Sequence, residues 1–372
     1  MIYLDYQSTT PIAPEAFAAM EPWLTTHFAN PHSSHKAGRA AAAAVESARA
    51  DIAALLPPGG KIIFTSGATE AINLAIKGYI SAASRAPNSR PAIAYSAAEH
   101  AAIIDSAAAM APSAEVAILG VKGDGHVSGL SQSADIGPGT LVCIMQVNNE
   151  IGTIQRLSGA DGLIAQVHER GGHFLCDAVQ SFGRMPVPAE ADMIAISAHK
   201  IHGPKGIGAL WLRDGIPLLP QQHGGGQEQG LRSGTLSPAL CAGFGAAARL
   251  AAAQMAADSA HVAALWDRAS RLLPGWTVNG DCDARYKGNL NIRKSGLYAA
   301  RLISECRDIL FSAGSACASG SGRPSHVLSA IGLTDAEAKS SIRLGFGRYT
   351  TMAEIEQAAM AINAAADAQL SS

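Results

Sequence analysis

The sequence predicts an α/β protein in which a mostly parallel β-sheet is covered by helices on both faces. Short, continuous apolar runs such as "TLVCIM" and "MIAIS" alternate with helical stretches, and such runs are typical of strands that are buried on both sides. Polar residues follow several runs directly, as in "CDAVQS" and "SAHK". Because ligands collect at the carboxyl ends of parallel strands, this pattern predicts a binding site along one edge of the sheet.

The elements follow in a regular order. "GRAAAAAVESARADIAALL" predicts a helix that ends at "PPGG". "KIIFTSG" predicts a strand that leads into the helix "ATEAINLAIKGYISAA", and "PAIAYSAAEHAAIIDSAA" repeats this strand–loop–helix order. The runs in "TLVCIMQVNNEIG", "GHFLCDAVQS", "ADMIAISAHK" and "GIGALWL" predict further strands. After about residue 245 a long Ala-rich helix (about 237–272), the strand "GNLNIRK" and a final helix, "TMAEIEQAAMAINAAADAQL", indicate a second, smaller domain.

Composition limits the classes of protein that the chain can represent. Its 372 residues are 48% hydrophobic and carry a formal net charge of −2, which suits two globular domains and offers no basic surface for nucleic acid. The N-terminus lacks a signal-peptide pattern, and we expect no transmembrane helix and no membrane partner. None of the six cysteines forms a C-x-x-C pair, so we expect no metal site, free thiols and a cytoplasmic location.

Cys317 lies in an unusual setting for a free cysteine. The segment "SAGSACASGSG" surrounds it with Ser, Ala and Gly, whereas Cys143 and Cys176 lie in apolar runs that are typical of buried thiols. Loops of small residues adapt their conformation and often carry function. Cys317 is therefore a candidate functional thiol.

Two polar clusters at strand ends suggest a phosphate site and a reactive amine. Gly67 and Thr69 lie between a strand and a helix, where free N–H groups attract phosphate, although an ordinary helix cap uses the same residue types. Asp177 and Lys200 each follow an apolar strand. A desolvated lysine reacts with carbonyls and an aspartate can pair with a protonated ring nitrogen, so the set matches what pyridoxal 5′-phosphate (PLP) requires. A buried Asp–Lys pair that only stabilises the fold would give the same pattern.

Ten segments, in this order along the chain, are similar to those of one known family. They are "YLDYQSTTP", "ANPHSSH", "FTSGATEAINLAIKG", "AEH", "QVNNEIGTIQ", "CDAVQSFG", "SAHKIHGPKGIGAL", "HGGGQEQGLRSGT", "GSACASG" and "SSIRLGFGR". The chain resembles the cysteine desulfurases of the NifS/IscS group, which are class-V aminotransferase enzymes with the PLP-dependent transferase fold type I.

The resemblance implies a domain organisation. A large PLP-binding domain (15–245) would contain a mostly parallel seven-stranded sheet flanked by helices, and a smaller α+β C-terminal domain (246–372) would carry a mobile catalytic cysteine loop at about 312–324. The N-terminal segment, 1–14, would associate with the small domain. The resemblance also implies a homodimer.

The resemblance assigns roles to individual residues. Lys200 would form the Schiff base with PLP and remove the α-proton, Cys317 would be the nucleophile, and His100 would stack on the ring and help to move protons. Asn149 and Arg343 would bind the substrate carboxylate. The implied cofactor contacts are Ala68, Thr69, His100, Asn149, Asp177, Gln180, Ser197, His199, Lys200 and Thr235, the last reaching the phosphate of the partner subunit.

The implied reaction converts L-cysteine to L-alanine and leaves sulfur as a persulfide on Cys317. An acceptor protein, such as an iron–sulfur scaffold or a thiolation carrier, would then receive the sulfur. The resemblance leaves open whether Cys317 is also a transient iron–sulfur ligand, and the short C-terminus leaves open how a scaffold would dock. A selenocysteine lyase or another class-V PLP enzyme is one alternative. A sulfur-relay scaffold without cofactor is another, and Lys200, Asp177 and His100 argue against it.

Overall fold

The computed structural model describes residues 1–85, 91–130, 136–313 and 325–371, and the predicted nucleophile, Cys317, lies outside the described residues. The strands are β1 (Ile2–Tyr3), β2 (Gly60–Thr65), β3 (Ala92–Ser96), β4 (Glu115–Leu119), β5 (Thr140–Met145), β6 (His173–Asp177), β7 (Met193–Ser197), β8 (Gly208–Arg213), β9 (Thr277–Val278), β10 (Asn289–Arg293), β11 (Ile309–Leu310), β12 (Ser312–Ala313) and β13 (Ser341–Gly345). The α-helices are α1 (Pro14–Thr25), α2 (Lys36–Ala53), α3 (Ala68–Ala83), α4 (Ala101–Met110), α5 (Leu163–Glu169), α6 (Pro238–Leu272), α7 (Ala299–Glu305), α8 (His326–Ala330), α9 (Asp335–Lys339) and α10 (Met352–Leu370).

The main sheet has seven strands in the order β2-β8-β7-β6-β5-β3-β4. Strand β8 is antiparallel to its neighbours β2 and β7, and the remaining pairs are parallel. Strands β5, β6 and β7 lie in the middle, and their carboxyl ends share one edge. This sheet confirms the predicted α/β class and the predicted mostly parallel topology.

Helices cover both faces of the main sheet. Along β2, Ile62 and Phe64 point into a core that includes residues of α1, α2 and α6, whereas Ile63 points into a second core with residues of α3 and α4. The same alternation occurs in β5, β6 and β7, where side chains on both faces are buried. Continuous apolar runs are therefore required in β5, β6 and β7, because neither face of these central strands meets water.

The longest helix, α6, spans 35 residues and reaches both the main sheet and the C-terminal part of the chain. Its N-terminal half contributes Phe244 and Ala248 to the core of the main sheet, and its C-terminal half contributes Leu265 and Ala269 to a separate core. Length and hydropathy alone would allow α6 to cross a membrane, but half of its most apolar stretch is buried inside the protein. Helix α6 thus packs against both cores of the protein.

A second, antiparallel sheet has four strands in the order β12-β13-β10-β9. Together with α7, α10 and the second half of α6 it encloses its own core. The N-terminal strand β1 pairs in parallel with β11, and Asp5 forms a bridge to Gly345 at the end of β13. The first residues of the chain therefore lie against this second sheet, close to the edge of the first.

Candidate active site

A cavity of about 820 Å³ lies at the carboxyl ends of the central parallel strands. All the predicted site residues line it except Thr235, which is exposed and does not, and Cys317, which is not described. The predicted residues that line it are Ala68, Thr69, His100, Asn149, Asp177, Gln180, Ser197, His199, Lys200 and Arg343. A cavity of this volume is in the range of small-molecule and cofactor sites.

Lys200 lies in a short 3₁₀ turn directly after β7, where its amine points back towards the N-terminal segment. Nζ donates hydrogen bonds to the carbonyl oxygens of Gln7 and Ser8, the latter at 2.8 Å. Burial lowers the pKa of Lys200 to about 7, and the positive charges of Arg184 and Arg343 act in the same direction. A large fraction of the amine is therefore unprotonated at neutral pH and can attack a carbonyl.

Asp177 and His100 lie in the same cavity, at the ends of neighbouring elements. Asp177 ends β6, and its Oδ1 accepts a hydrogen bond of 2.9 Å from the Val179 amide; burial raises the pKa of this carboxyl group. His100 caps α4 by accepting a hydrogen bond of 3.1 Å at Nδ1 from the Ala102 amide, so the neutral ring carries its proton on Nε2. Burial lowers the pKa of His100, which favours the neutral form of the ring.

The other end of the cavity has the features of a phosphate site. Helix α3 begins at Ala68 with Gly67 as its N-cap and without a side-chain cap, so the amides of its first turn are available to a ligand. Ser197 and His199 line the same cavity. Burial lowers the pKa of His199 to about 4, so this ring is a neutral hydrogen-bonding group at pH 7.

Arg343 lies in the middle of β13 and is almost completely buried, at 1% exposure. Its guanidinium donates to the Asn149 carbonyl oxygen at 3.0 Å, to Asp5 Oδ1 at 2.8 Å and to Ser8 Oγ at 2.9 Å. The buried Nε has no partner among the described residues. Arg343 thus keeps an N–H group that an anionic ligand could bind.

Several residues of the site were not identified from the sequence. The Gln7 carbonyl oxygen accepts hydrogen bonds from both Lys200 and Gln180, and Arg184 donates to Gln180 Oε1 at 2.8 Å and to the Lys200 carbonyl at 2.7 Å. A backbone acceptor leaves no mark on residue type. Arg184 follows "CDAVQSFG" directly, and its position four residues after Gln180 is the signal that was available.

Two buried carboxyl groups in the cavity were missed as well. Glu99 is fully buried and accepts hydrogen bonds from the Met145 amide at 3.0 Å, and burial raises its pKa well above the usual range. Glu150 accepts from the Ser325 hydroxyl, and burial raises its pKa to about 7. Their signal was position, since Glu99 precedes His100 and Glu150 follows Asn149.

The residues present fit pyridoxal phosphate. Asp177 is a buried carboxyl group that could accept a ring N–H, Lys200 is a desolvated amine, and α3 offers amides to a phosphate. Asn149 Oδ1 is buried without a partner in the described part of the chain, which is expected of a group that awaits a ligand. Lys200 would hold the cofactor covalently. The electron-withdrawing ring of pyridoxal phosphate would take up electrons released at a substrate carbon.

Comparison with known proteins identifies the family. The model of the class-V aminotransferase family matches residues 2–358. A protein named cysteine desulfurase IscS, from Rickettsia typhi, is 43% identical over 96% of this chain and 89% of its own length. A solved structure described as a NifS-like protein has a TM-score of 0.86 at 28% identity and covers 98% of each chain. A structure described as SspA in complex with cysteine has a TM-score of 0.82 at 33% identity and covers 94% of this chain and all of the other.

These matches confirm the fold type and the resemblance predicted from the sequence, and members of this family use PLP. The chain therefore belongs to the class-V aminotransferase family and, within it, to the cysteine desulfurases of the NifS and IscS type.

Proposed function

We propose that the protein is a PLP-dependent cysteine desulfurase, which converts L-cysteine to L-alanine and holds the sulfur as a persulfide on Cys317. The observation that carries this proposal is that Lys200 lies in one cavity with Asp177 and Arg343. Burial lowers the pKa of Lys200 to about 7. The relatives named as cysteine desulfurases support the same reaction, as does the structure described as containing cysteine.

The chain's own groups divide the work in this proposal. Arg343 and Asn149 bind the substrate carboxylate through N–H groups, which fixes the orientation of the amino acid. Unprotonated Lys200 accepts the α-proton at Nζ once its amine is free, and the neutral His100 ring offers its Nε2–H group to the ligand as a donor. Asp177 accepts a hydrogen bond from the ring nitrogen, and the first-turn amides of α3, with Ser197 and His199, hold the phosphate.

The proposal includes a homodimer in the cytoplasm. Thr235 is exposed and lies outside its own chain's cavity, which supports the prediction that it reaches the partner's phosphate. Arg232, in the same loop, forms an ion pair with Glu70 in the first turn of α3, with a distance of 2.6 Å between Nε and Oε1. The loop therefore lies close to the helix start that is proposed to hold the phosphate. Sedimentation of the holoenzyme should give twice the chain mass of 38.1 kDa, and a monomeric, fully active protein would contradict this part of the proposal.

The acceptor of the sulfur is proposed only as a class. A protein with an accessible thiol, either an iron–sulfur scaffold or a thiolation carrier, takes the terminal sulfur of the persulfide as the Cys317 thiolate leaves. Labelled cysteine followed by pull-down of labelled proteins identifies the acceptor.

Replacement of the nucleophile tests the reaction directly. Cys317→Ala should keep the visible absorption of bound PLP and lose persulfide formation and sulfide release from L-cysteine. Cys282→Ala is the matched control, because Cys282 is a free, exposed cysteine that does not line the cavity. Desulfuration of L-cysteine at the normal rate by Cys317→Ala would refute the proposed role of this residue.

A further inference from the structure

The turn from Asn148 to Gly152 carries Asn149 and Glu150 into the cavity. Asn148 Oδ1 accepts hydrogen bonds from the amides of Glu150 at 2.8 Å and Ile151 at 3.0 Å, so the turn satisfies its own N–H groups. The carbonyl groups of Asn149, Glu150 and Ile151 instead accept hydrogen bonds from side chains outside the turn. A turn usually leaves such carbonyls to water, and their partners here are therefore informative.

Two asparagines of β10 bind these carbonyl groups. Asn289 Nδ2 donates to the carbonyl oxygens of Asn149 at 3.3 Å and Glu150 at 3.1 Å, and Asn291 Nδ2 donates to that of Glu150 at 3.0 Å. Both asparagines have no exposed surface. Asn291 lies directly opposite Arg343 in the β10–β13 pairing, and Arg343 also donates to the Asn149 carbonyl oxygen. The two strands thus bring three donor side chains to one turn.

The end of the turn is held from the same side. Arg285 is 3% exposed, and its Nη2 donates at 3.0 Å to the carbonyl oxygens of both Ile151 and Asn289. Gly152 has a φ of +77°, and a Cβ at this position would lie 3.2 Å from Asn289 Cβ. Glycine therefore permits both the backbone conformation and the close approach to Asn289.

The Asn149 side chain depends on this backbone support. Its Oδ1 is buried and has no partner in the described chain, so a protein hydrogen bond to that oxygen does not orient it. The position of the Asn149 side-chain amide therefore follows from the backbone of the turn. Asn289 and Asn291 hold that backbone by donating hydrogen bonds to its carbonyl groups. Displacements of about 1 Å at such a group reduce reaction rates by roughly a hundredfold.

We propose that Asn289, together with Asn291, is a positioning residue that places Asn149 in the active site by binding the carbonyl groups of its turn. This inference rests on the proposed function, because it needs Asn149 to bind the amino-acid ligand. It adds a specific dependence: ligand affinity in the cavity is set in part by two side chains that lie outside it.

The test measures binding of L-alanine, the expected product, to the PLP-loaded full-length protein through the change in visible absorption. Asn289→Ala should retain the absorption band and stoichiometry of bound PLP but bind L-alanine about tenfold or more weakly. Asn363→Ala is the matched control, because Asn363 donates at 2.6 Å to the Leu272 carbonyl oxygen, away from the cavity. We expect this control to change the affinity by less than about twofold.

A double-mutant cycle separates positioning from general damage. If Asn289 acts through Asn149, then Asn149→Ala alone should weaken L-alanine binding, and adding Asn289→Ala to it should cost less than about a further twofold. The proposal would be overturned if the loss of L-alanine affinity in the double variant equals the product of the two single losses. It would also be overturned if Asn149→Ala alone leaves the affinity unchanged. If Asn289→Ala does not fold, Asn291→Ala, which removes a single donor to the turn and one acceptor of Asn279, takes its place in the cycle.

The outcomes for the two proposals differ. A PLP-loaded wild-type protein that neither binds L-alanine nor desulfurates L-cysteine would refute the proposed function, and the positioning role would fail with it. A wild-type protein that does both, with Asn289→Ala behaving like Asn363→Ala, would refute the positioning role alone.

Discussion

The two sheets contribute to the cavity in different ways. The seven-stranded sheet supplies residues at or just beyond strand ends, such as Asp177, the last residue of β6, and Lys200, which follows β7. The four-stranded sheet supplies Arg343 from within β13, and Asn291 from within β10 holds a turn of the cavity wall from outside; both side chains are buried. We expect Lys200 to be replaceable at little cost to the fold, whereas the buried mid-strand residues need their hydrogen-bond partners.

The largest expected effect is that of Lys200→Ala, which should separate activity from stability. Turnover of L-cysteine should fall by roughly 10³-fold or more, because the covalent anchor and the proton acceptor are both lost. The free energy of unfolding of the cofactor-free protein should fall by no more than about 1 kcal/mol, since burial already disfavours the ammonium form. Alanine production and urea unfolding measure the two quantities.

Lys294→Ala is the control for this experiment, because Lys294 forms an ion pair with Asp367 and does not line the cavity. This variant should keep full activity. A large loss of stability in Lys200→Ala would break the distinction between strand-end and mid-strand residues.

Arg343→Gln should lower activity and stability together. We expect kcat/KM for L-cysteine to fall by roughly a hundredfold, and the free energy of unfolding by about 2 kcal/mol, because Asp5 loses its ionic partner. The loss in kcat/KM should be much smaller with cysteamine, which has no carboxylate. Steady-state kinetics with both amines and urea unfolding of the variant provide the measurements.

Arg348→Gln provides the comparison for Arg343→Gln. Arg348 forms an ion pair with Asp258, at 2.6 Å, but does not line the cavity. Its replacement should cost stability without changing the preference for cysteine over cysteamine. If Arg343→Gln and Arg348→Gln show the same preference for cysteine over cysteamine, Arg343 does not bind the substrate carboxylate.

The pH dependence of PLP loading is a sharper test of the strand-end lysine. With a pKa of about 7, the free-amine fraction of Lys200 falls as the pH is lowered, so the loading rate should drop about tenfold between pH 8 and pH 6. The positive charge of Arg184 contributes to the lowered pKa of Lys200. Arg184→Met should therefore raise the pKa of Lys200 and move the midpoint of the loading rate to higher pH, and an unchanged midpoint would contradict this assignment.

The same contrast explains what could be predicted from the sequence. An apolar run that ends in a polar residue is visible without any structure, so Asp177 and Lys200 were found from pattern, and the resemblance added their roles. Arg343 sits inside a strand and was found only through the resemblance. Asn289 and Asn291 were missed, although two polar residues at alternate positions of "GNLNIRK" indicate one face of a strand that needs buried partners.

Other features could not be predicted for physical reasons. The two-residue strands β1, β9, β11 and β12 are too short to show a period of two. The acceptor role of the Gln7 backbone carbonyl depends on where the N-terminal segment lies in three dimensions. The domain boundary at residue 245 stays a prediction; that position falls within α6, whose two halves serve different cores.

The smallest expected effect on activity is that of Asn279→Ala. Asn279 is buried beside β10, and its Nδ2 donates to Asn291 Oδ1 at 2.7 Å and to Ser341 Oγ at 3.1 Å. Its loss should lower the free energy of unfolding by about 1–2 kcal/mol, because two buried acceptors lose a donor. Activity towards L-cysteine should change by less than about threefold, since the Asn291 amide still holds the Glu150 carbonyl. A loss of activity as large as that of Asn291→Ala would show that the positioning network extends one residue further from the cavity, and urea unfolding with steady-state kinetics on both variants decides between these results.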